Sequence, residues 1–547
     1  MGNLTAHWNV IGLASAQTIK KNGQIVDEST VPVAAENVNN ELLTDISLFD
    51  FAENVESTEN HERSLFAGCK SFPRDQLWPL EPVWKVFNLL TGGALIKTVP
   101  IGAGCNTNNE HYDADRCQEI LDHWTESATH RCDPGGFPSY AVNISAVAQI
   151  QLAINFVRNT NVRLVVKNTG HDFLGKSADA GVLSIRTRNL KTIDFIEHYN
   201  GCGYSGPAMK LGAGVEVGEL YAAADKCGAS AVGGECKGVG VTGGYIQGSG
   251  HSPLSSIYGM GADQVLSIDI VLPSGRSITA DKTNNSDIFW AVRGGGGATF
   301  GVVTSMTVKV PPKTVYSGLT FVVTSGNGSL ANVTTEGHYG YSSVYPRFDG
   351  IAGYTWHFHP WLAPNTKLAG LKEAVASPLA EWLAVGFAVE PDFVEDDNFY
   401  TPWTLHFRDR SCRKRRPANR LAAYPSQELT GPGIAQPDDR GLGGGHATQR
   451  AFIMYNMAGK RQPGVDNAVN PAWHENLFYI IVGSAWTDDS TPAEIEAANK
   501  AITYDMLAKL RSISKGAGSY LNEGEIAEPN FQHEGWHITG QELWLLT

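Results

Sequence analysis

Residues 233–252 read GGECKGVGVTGGYIQGSGHS, and the interpretation of that run decides the fold. Gly238, Gly240 and Gly243 match G-x-G-x-x-G, and Asp263 follows where a ribose-binding carboxylate would stand. In a nicotinamide-type Rossmann unit the motif follows a buried strand and opens a helix. Here GASAVGGECK precedes it and GYIQGSGHSPL follows, rich in Gly, Ser and Pro. The context is wrong for a Rossmann site. What remains is a backbone almost bare of side chains, suited to tight turns or to close approach by a ligand. A single thiol, Cys236, sits at its mouth.

Two further glycine-rich turns share this character: Lys167-Asn168-Thr169-Gly170-His171, and RGGGGATFGVV at residues 293–303. Each sits at the end of a strand-like pattern. Several loops with exposed backbone N–H groups can jointly cradle a large anionic cofactor such as a dinucleotide pyrophosphate.

Around these loops the chain reads as alternating short strands and helices. YAVNIS is strand-like, with Asn143 and Ser145 as caps for a helix over AVAQIQLAINFVRN. VRLVVKN, GVLSIRT and KTIDF read as strands. DQVLSIDIVLPSGRSITA reads as a hairpin with a Pro-Ser-Gly turn. After Pro312 the texture changes to aromatic strands such as GYTWHFHPW and longer helices. TPAEIEAANKAITYDMLAKLRSISKG is the strongest helix signal: Thr491 caps, Pro492 takes the first position, Glu494 completes a capping box and Gly516 ends it. Ile495, Ala498, Ile502, Met506 and Leu510 would share its buried face.

The chain has 547 residues and a net charge of -14, which disfavours nucleic acid and anionic membrane as partners. No apolar run reaches the roughly 18 residues of a membrane span. Eight cysteines are scattered without a CxxC pair, and no metal site is read from them or from His357 and His359. Sequons at Asn3, Asn143, Asn284, Asn327 and Asn332, with the cysteines, point to the secretory pathway or the extracellular space. VIGLASAQ near the N-terminus reads as a signal remnant or a loose arm. The basic run RSCRKRRPANR reads as a solvated loop.

VRLVVKNTGHDFLGKS, VGGECKGVGVTGGYIQGSGHSPLSSIYGMGADQV and RGGGGATFGVV together resemble FAD-linked oxidoreductases of the vanillyl-alcohol-oxidase superfamily, nearest the fungal berberine-bridge-enzyme-like branch. NPAWHENLFY (470–479) and SYLNEGEIAEPNFQ (519–532) resemble later landmarks of that branch. The resemblance covers residues 62–310 well and 440–532 patchily. It implies an α+β fold, with a PCMH-type two-part FAD-binding domain at 61–315 and an α+β substrate domain with an antiparallel sheet at 316–515. An arm at 1–60 precedes these, and 516–547 returns to the FAD domain, ending earlier than the family does. The family commonly has a cysteine before its Trp-Pro pair, where this chain has Leu77.

The resemblance also implies FAD bonded covalently through His171 and Cys236, both good nucleophiles toward an electron-poor ring. It places Lys167, Asn168, Thr169, Gly170, Gly240, Gly243, Gly244, Gln247, Gly248, Gly250, His251, Ser252, Gly301 and Val303 around that cofactor. The implied reaction moves hydride from a small organic substrate (an alcohol, a sugar or a secondary metabolite such as an alkaloid) to the flavin, which dioxygen reoxidises. Tyr520 and Asn522 are the catalytic candidates, with Tyr520 a base if a neighbouring cation lowers its pKa. The alternatives are a flavin dehydrogenase that reacts poorly with oxygen and a degenerate, non-catalytic secreted flavoprotein.

Overall fold

The structure is a computed structural model. Apart from short gaps, it describes residues 46–49, 70–122, 136–325, 339–346, 354–384, 389–406, 449–514 and 517–529, with strand pieces at 20–25 and 420–429. Cys69, Cys132 and Cys412, the sequons at Asn3, Asn327 and Asn332, most of the arm, most of the basic run, Gly516 and the final residues lie outside this set.

The first lobe contains α1 (Glu81–Leu90), β1 (Leu95–Lys97), α2 (Ala114–Asp122), β2 (Tyr140–Asn143), α3 (Val147–Thr160), β3 (Leu164–Lys167) and β4 (Leu183–Arg186). Its strands lie in the order β1-β2-β4-β3, with β4 parallel to both β2 and β3. Helix α3 buries Ile150, Ala153, Ile154 and Val157, the spacing of one helical face. Phe87 from α1 stacks on Phe156 with centroids 4.5 Å apart. The cap differs from expectation. Asn143 ends β2, and the helix is capped from inside: Gln149 Oε1 accepts from Ser145 N at 2.7 Å and Ala146 N at 3.1 Å. The Gln149 amide meanwhile donates to Thr91 O, tying α3 to the end of α1.

The arm is also more than a loose segment. Ile46–Phe49 forms a 3₁₀ turn whose Phe49 is buried against the Phe87–Phe156 stack, with centroids at 6.0 and 5.6 Å. Asn155 Nδ2 donates to Phe49 O. The run LLTDISLFDF at 42–51 is too short and irregular in its apolar spacing to mark Phe49 as a core residue.

The second lobe contains β5 (Ile193–Gly201), β6 (Tyr204–Gly212), α4 (Val217–Lys226), β7 (Val265–Val271), β8 (Ser277–Asp281), α5 (Ser286–Val292) and β9 (Val302–Lys309). The sheet order is β8-β7-β9-β6-β5, each neighbour antiparallel. The hairpin β7-β8 turns at Pro273-Ser274-Gly275, where Gly275 has φ of 84°.

The third sheet gathers β10 (Tyr316–Ser325), β11 (Tyr339–Pro346), β12 (Tyr354–Pro364), β13 (Asp392–Asp396), β14 (Arg420–Ala422), β15 (Ser426–Leu429), β16 (Gln449–Asn456) and β17 (Phe478–Trp486). Its order among the described residues is β13-β10-β12-β11-β16-β17-β14, with β15 also on β17, and the pairs are antiparallel. One apolar cluster joins it to the second lobe, running from Met209, Ile268 and Met306 to Tyr316, Tyr455 and Tyr479. The helix expected over 491–515 begins as read: Thr491 Oγ1 accepts from Glu494 N, and Glu494 Oε2 accepts from Thr491 N. It is not one α-helix, however. A π turn at Ile502–Met506 separates Pro492–Ala501 from Leu507–Ile513. The wider turn slips the register, so that adjacent Met506 and Leu507 are both buried against β17.

Candidate active site

The three glycine-rich turns meet at the junction of the two lobes. At the end of β3, Asn168 Nδ2 donates to Thr187 Oγ1 at 3.0 Å and to Ala213 O at 2.5 Å. Thr169 Oγ1 accepts from Gly240 N at 3.1 Å. A Cβ on Gly240 or Gly243 would fall inside the Asn168 carboxamide, so both positions require glycine. Asn168 is buried and its Oδ1 has no partner, a polar atom left facing the glycine run. Gly170 has φ of 83°, and a Cβ there would lie 3.0 Å from Lys167 Cε. Burial lowers the Lys167 pKa, and the Arg186 charge lowers it further.

The third turn joins through Gln247. Its Nε2 donates to Thr242 O at 2.8 Å and Gly243 O at 3.0 Å, and its Oε1 accepts from Ala298 N at 3.2 Å. Gly296 N donates to Gln247 O. Gly243 and Gly244 belong to a π turn over Val241–Tyr245, and a Cβ on Gly244 would meet open space. A Cβ on Gly250 would lie 2.8 Å from the Tyr245 ring, and Ser252 is buried in its own turn, with N bonded to Ser255 Oγ. Gly301 and Val303 stand apart. They lie against β7, where a Cβ on Gly301 would meet Val271 O and the Val303 side chain enters the core.

His171 and the loop of Cys236 come together. A Cβ on Gly238, two residues after the cysteine, would lie 3.4 Å from His171 Nε2. Helix α4 holds this loop: Val217 N donates to Val239 O, and Gly218 N to Lys237 O. His171 is exposed and Cys236 half-buried.

Beyond the glycine turns, the third sheet presents an aromatic wall. His251 is buried here, not among the loop amides. Its ring stands 5.1 Å from Tyr455, 5.4 Å from Tyr479, 5.1 Å from Tyr520 and parallel to Trp473. Its Nε2 lies 3.5 Å from Glu523 Oε2, which also accepts from Tyr479 OH at 2.6 Å. Tyr455 OH donates to Glu235 Oε2 at 3.4 Å, beside Cys236. The Asn522 amide donates to Gly244 O and Tyr520 OH, and Phe173 N donates to Asn522 O. Asn522 therefore clamps the C-terminal segment onto the glycine turns.

Tyr520 does not have the surroundings of a base. Its hydroxyl donates to Tyr245 O at 3.2 Å, and it is buried. Burial pushes its pKa above the ordinary phenol value, and the Glu523 charge pushes it further. The neighbour is an anion where the base role needed a cation.

Sequence reasoning missed Glu235, Tyr455, Tyr479 and Glu523 as a group, because 220 residues separate Glu235 from Tyr455. It also left the cysteines unpaired; Cys105 and Cys117 form a disulfide.

Residues 138–281 match the model of an FAD-binding domain. The FAD-linked oxidoreductase sor8 of Hypocrea jecorina is 33% identical over 85% of this chain and 86% of its own length. The VAO-type flavoprotein oxidase VAO615 of Thermothelomyces thermophilus is 31% identical over 90% and 91%. The crystal structure of MtVAO615 from Myceliophthora thermophila C1 superposes with a TM-score of 0.75 at 26% identity, covering 87% of this chain and 94% of that one. That of glucooligosaccharide oxidase from Acremonium strictum superposes at 0.57 over 75% and 88%, at 14% identity, a likeness of fold alone. The junction fits FAD: an unpartnered buried carboxamide oxygen lies on the glycine run, and Gly244 beside it faces open space. With a glycine-built cradle and relatives matched along most of its length, the chain belongs to the FAD-linked oxidoreductases of the vanillyl-alcohol-oxidase superfamily.

Proposed function

We propose that this protein is a bicovalent flavoprotein oxidase of small organic molecules, with FAD bonded through His171 and Cys236. The observation that carries this reading is the contact at Gly238, which brings the imidazole against the backbone of the cysteine loop. The structure of glucooligosaccharide oxidase describes a 6-S-cysteinyl, 8α-N1-histidyl FAD on the same fold. When bound, the flavin supplies a two-electron acceptor for hydride, and dioxygen takes the electrons onward as hydrogen peroxide.

The chain's own residues do the rest. Asn168, Thr169 and Gln247 hold three turns so that their backbone can lie against the cofactor. The aromatic wall of Tyr455, Trp473 and Tyr479 excludes water from the reacting side. The substrate proton passes to one of the two carboxylates on that wall, Glu235 or Glu523, each hydrogen-bonded by a tyrosine. Secretion belongs to the same reading, supported by the Cys105–Cys117 disulfide and by an exposed sequon at Asn284.

The test is direct. Acid-precipitated protein should be yellow, and peptide mass spectrometry should find flavin on both His171 and Cys236. Turnover with a panel of alcohols, sugars and alkaloids should yield peroxide. A colourless pellet with yellow supernatant would sink the covalent part; reduction by substrate without peroxide would sink the oxidase part.

A further inference from the structure

Glu216 stands beside the point where His171 approaches the cysteine loop. A Cβ on Gly238 would lie 3.4 Å from His171 Nε2 and 3.8 Å from Glu216 Oε2, so imidazole and carboxylate approach the same face of one glycine. Two cations from one neighbouring turn fix the carboxylate. Arg188 reaches Glu216 Oε1 at 2.9 Å, and Lys191 reaches the same oxygen at 3.1 Å. Lys191 also pairs with Glu219, whose carboxylate accepts from Glu216 N. Both cations sit on Oε1, while Oε2 faces Gly238. The turn carrying Arg188 is itself locked: a Cβ on Gly214 would strike Arg188 O, and Gly214 N donates to Leu190 O. Glu216 is mostly buried, 16% exposed, whereas a helix-starting glutamate without a task is usually solvated.

We propose that Glu216 is the residue that positions His171 and takes its Nε2 proton during covalent attachment of the flavin. This rests on the covalent link to His171 proposed above. A carboxylate that reaches Nε2 would select the tautomer protonated there and leave the Nδ1 lone pair for bond formation. Arg188 and Lys191 both occupy Oε1 and so leave Oε2 turned toward Gly238. In the balanced step, His171 Nδ1 bonds the 8α carbon, that carbon loses one proton, and Nε2 loses one to Glu216. The electron pair left on the ring passes with two protons to dioxygen, giving hydrogen peroxide.

The experiment follows flavin on the two peptides separately. Wild type, Glu216→Gln and Glu216→Asp are sampled over time after synthesis with FAD present, and the flavin-bearing fractions of the His171 and Cys236 peptides are read by mass spectrometry. Gln keeps the size and removes the proton acceptor. Attachment at His171 should slow by roughly a hundredfold, the lower end of what a positioned acid–base group contributes, while attachment at Cys236 proceeds as in wild type. Asp should restore part of the rate. Equal loading of His171 in wild type and Glu216→Gln overturns the inference and leaves the covalent reading intact. Equal slowing at both peptides overturns it too, since a merely structural defect would do that. Wild type without flavin on His171 overturns both.

Discussion

Replacing Gln247 by Met should loosen the cofactor cradle without changing the fold. The Gln247 amide makes three hydrogen bonds, to Thr242 O, Gly243 O and from Ala298 N, and so joins the glycine run at 240–250 to the turn at 293–303. Methionine has nearly the same length and fills the same buried space, but neither donates nor accepts usefully. Each bond contributes about 1 kcal/mol net, so the loss should be about 3 kcal/mol. Of the three, only the bond from Ala298 N crosses to the second turn, beside the Gly296 N to Gln247 O backbone bond that methionine keeps; the other two shape the glycine run itself. The assay is a urea titration followed by flavin fluorescence and by far-ultraviolet circular dichroism, with flavin per chain measured beforehand. We expect the flavin signal to change at lower urea than in wild type and the flavin content to fall. An unchanged midpoint with full flavin content would refute the claim that this side chain holds the turns together.

Gly240→Ala would push the new methyl into the Asn168 carboxamide and break its bonds to Thr187 and Ala213, worth about 2 kcal/mol together; the protein should fold and lose most of its flavin, read by absorbance per chain. Tyr520→Phe should keep turnover within about tenfold of wild type, since a true base contributes about a hundredfold or more; a loss of that larger size would reinstate the phenol as the base. Burial raises the Asp269 pKa, but bonds from Lys210, Ser305 and Thr279 outweigh it and hold the carboxyl below its ordinary value. A depressed carboxylate stabilises the fold above its unfolded pKa and loses that contribution as pH falls through the folded one. Asp269→Asn should therefore flatten the decline of stability on the acid side of pH 4 and leave the neutral side lower; an unaltered acid limb in thermal melts would refute it.

The glycine turns were legible because glycine is a statement about the backbone: where Asn168 leaves no room at Gly240 and Gly243, the sequence records the contact directly. The hairpin at Pro273–Gly275 and the Thr491–Glu494 cap were legible for the same reason, since each is settled within four residues. The cap of the helix after β2 was not, because Gln149 serves it from inside, where glutamine also passes for an ordinary helix former. The π turn at Ile502–Met506 was hidden because the sequence continues in helical period on both sides. His251 was expected around the cofactor on the strength of its neighbours in sequence, and its aromatic surroundings were not foreseen. In the folded chain its ring faces Tyr455, Trp473 and Tyr479, contributed from about 200 residues away. The Glu235–Tyr455 and Glu523–Tyr479 pairs were beyond reach for that reason: nothing local marks a carboxylate whose partner arrives with another sheet.

Phe49 acts as a stopper over the paired rings of α1 and α3, delivered by a segment far ahead of any recognisable cofactor motif. A truncated version beginning at residue 61, where the FAD-binding domain was expected to start, would leave a phenyl-sized trench there, with the Asn155 amide deprived of Phe49 O and the Phe87 and Phe156 rings uncovered on one side. Deleting so large a buried aromatic costs about 3–5 kcal/mol. Trimmed versions designed from motif boundaries alone should therefore misbehave during expression for a reason unrelated to catalysis, and extending them upstream to include Ile46–Phe49 should cure it.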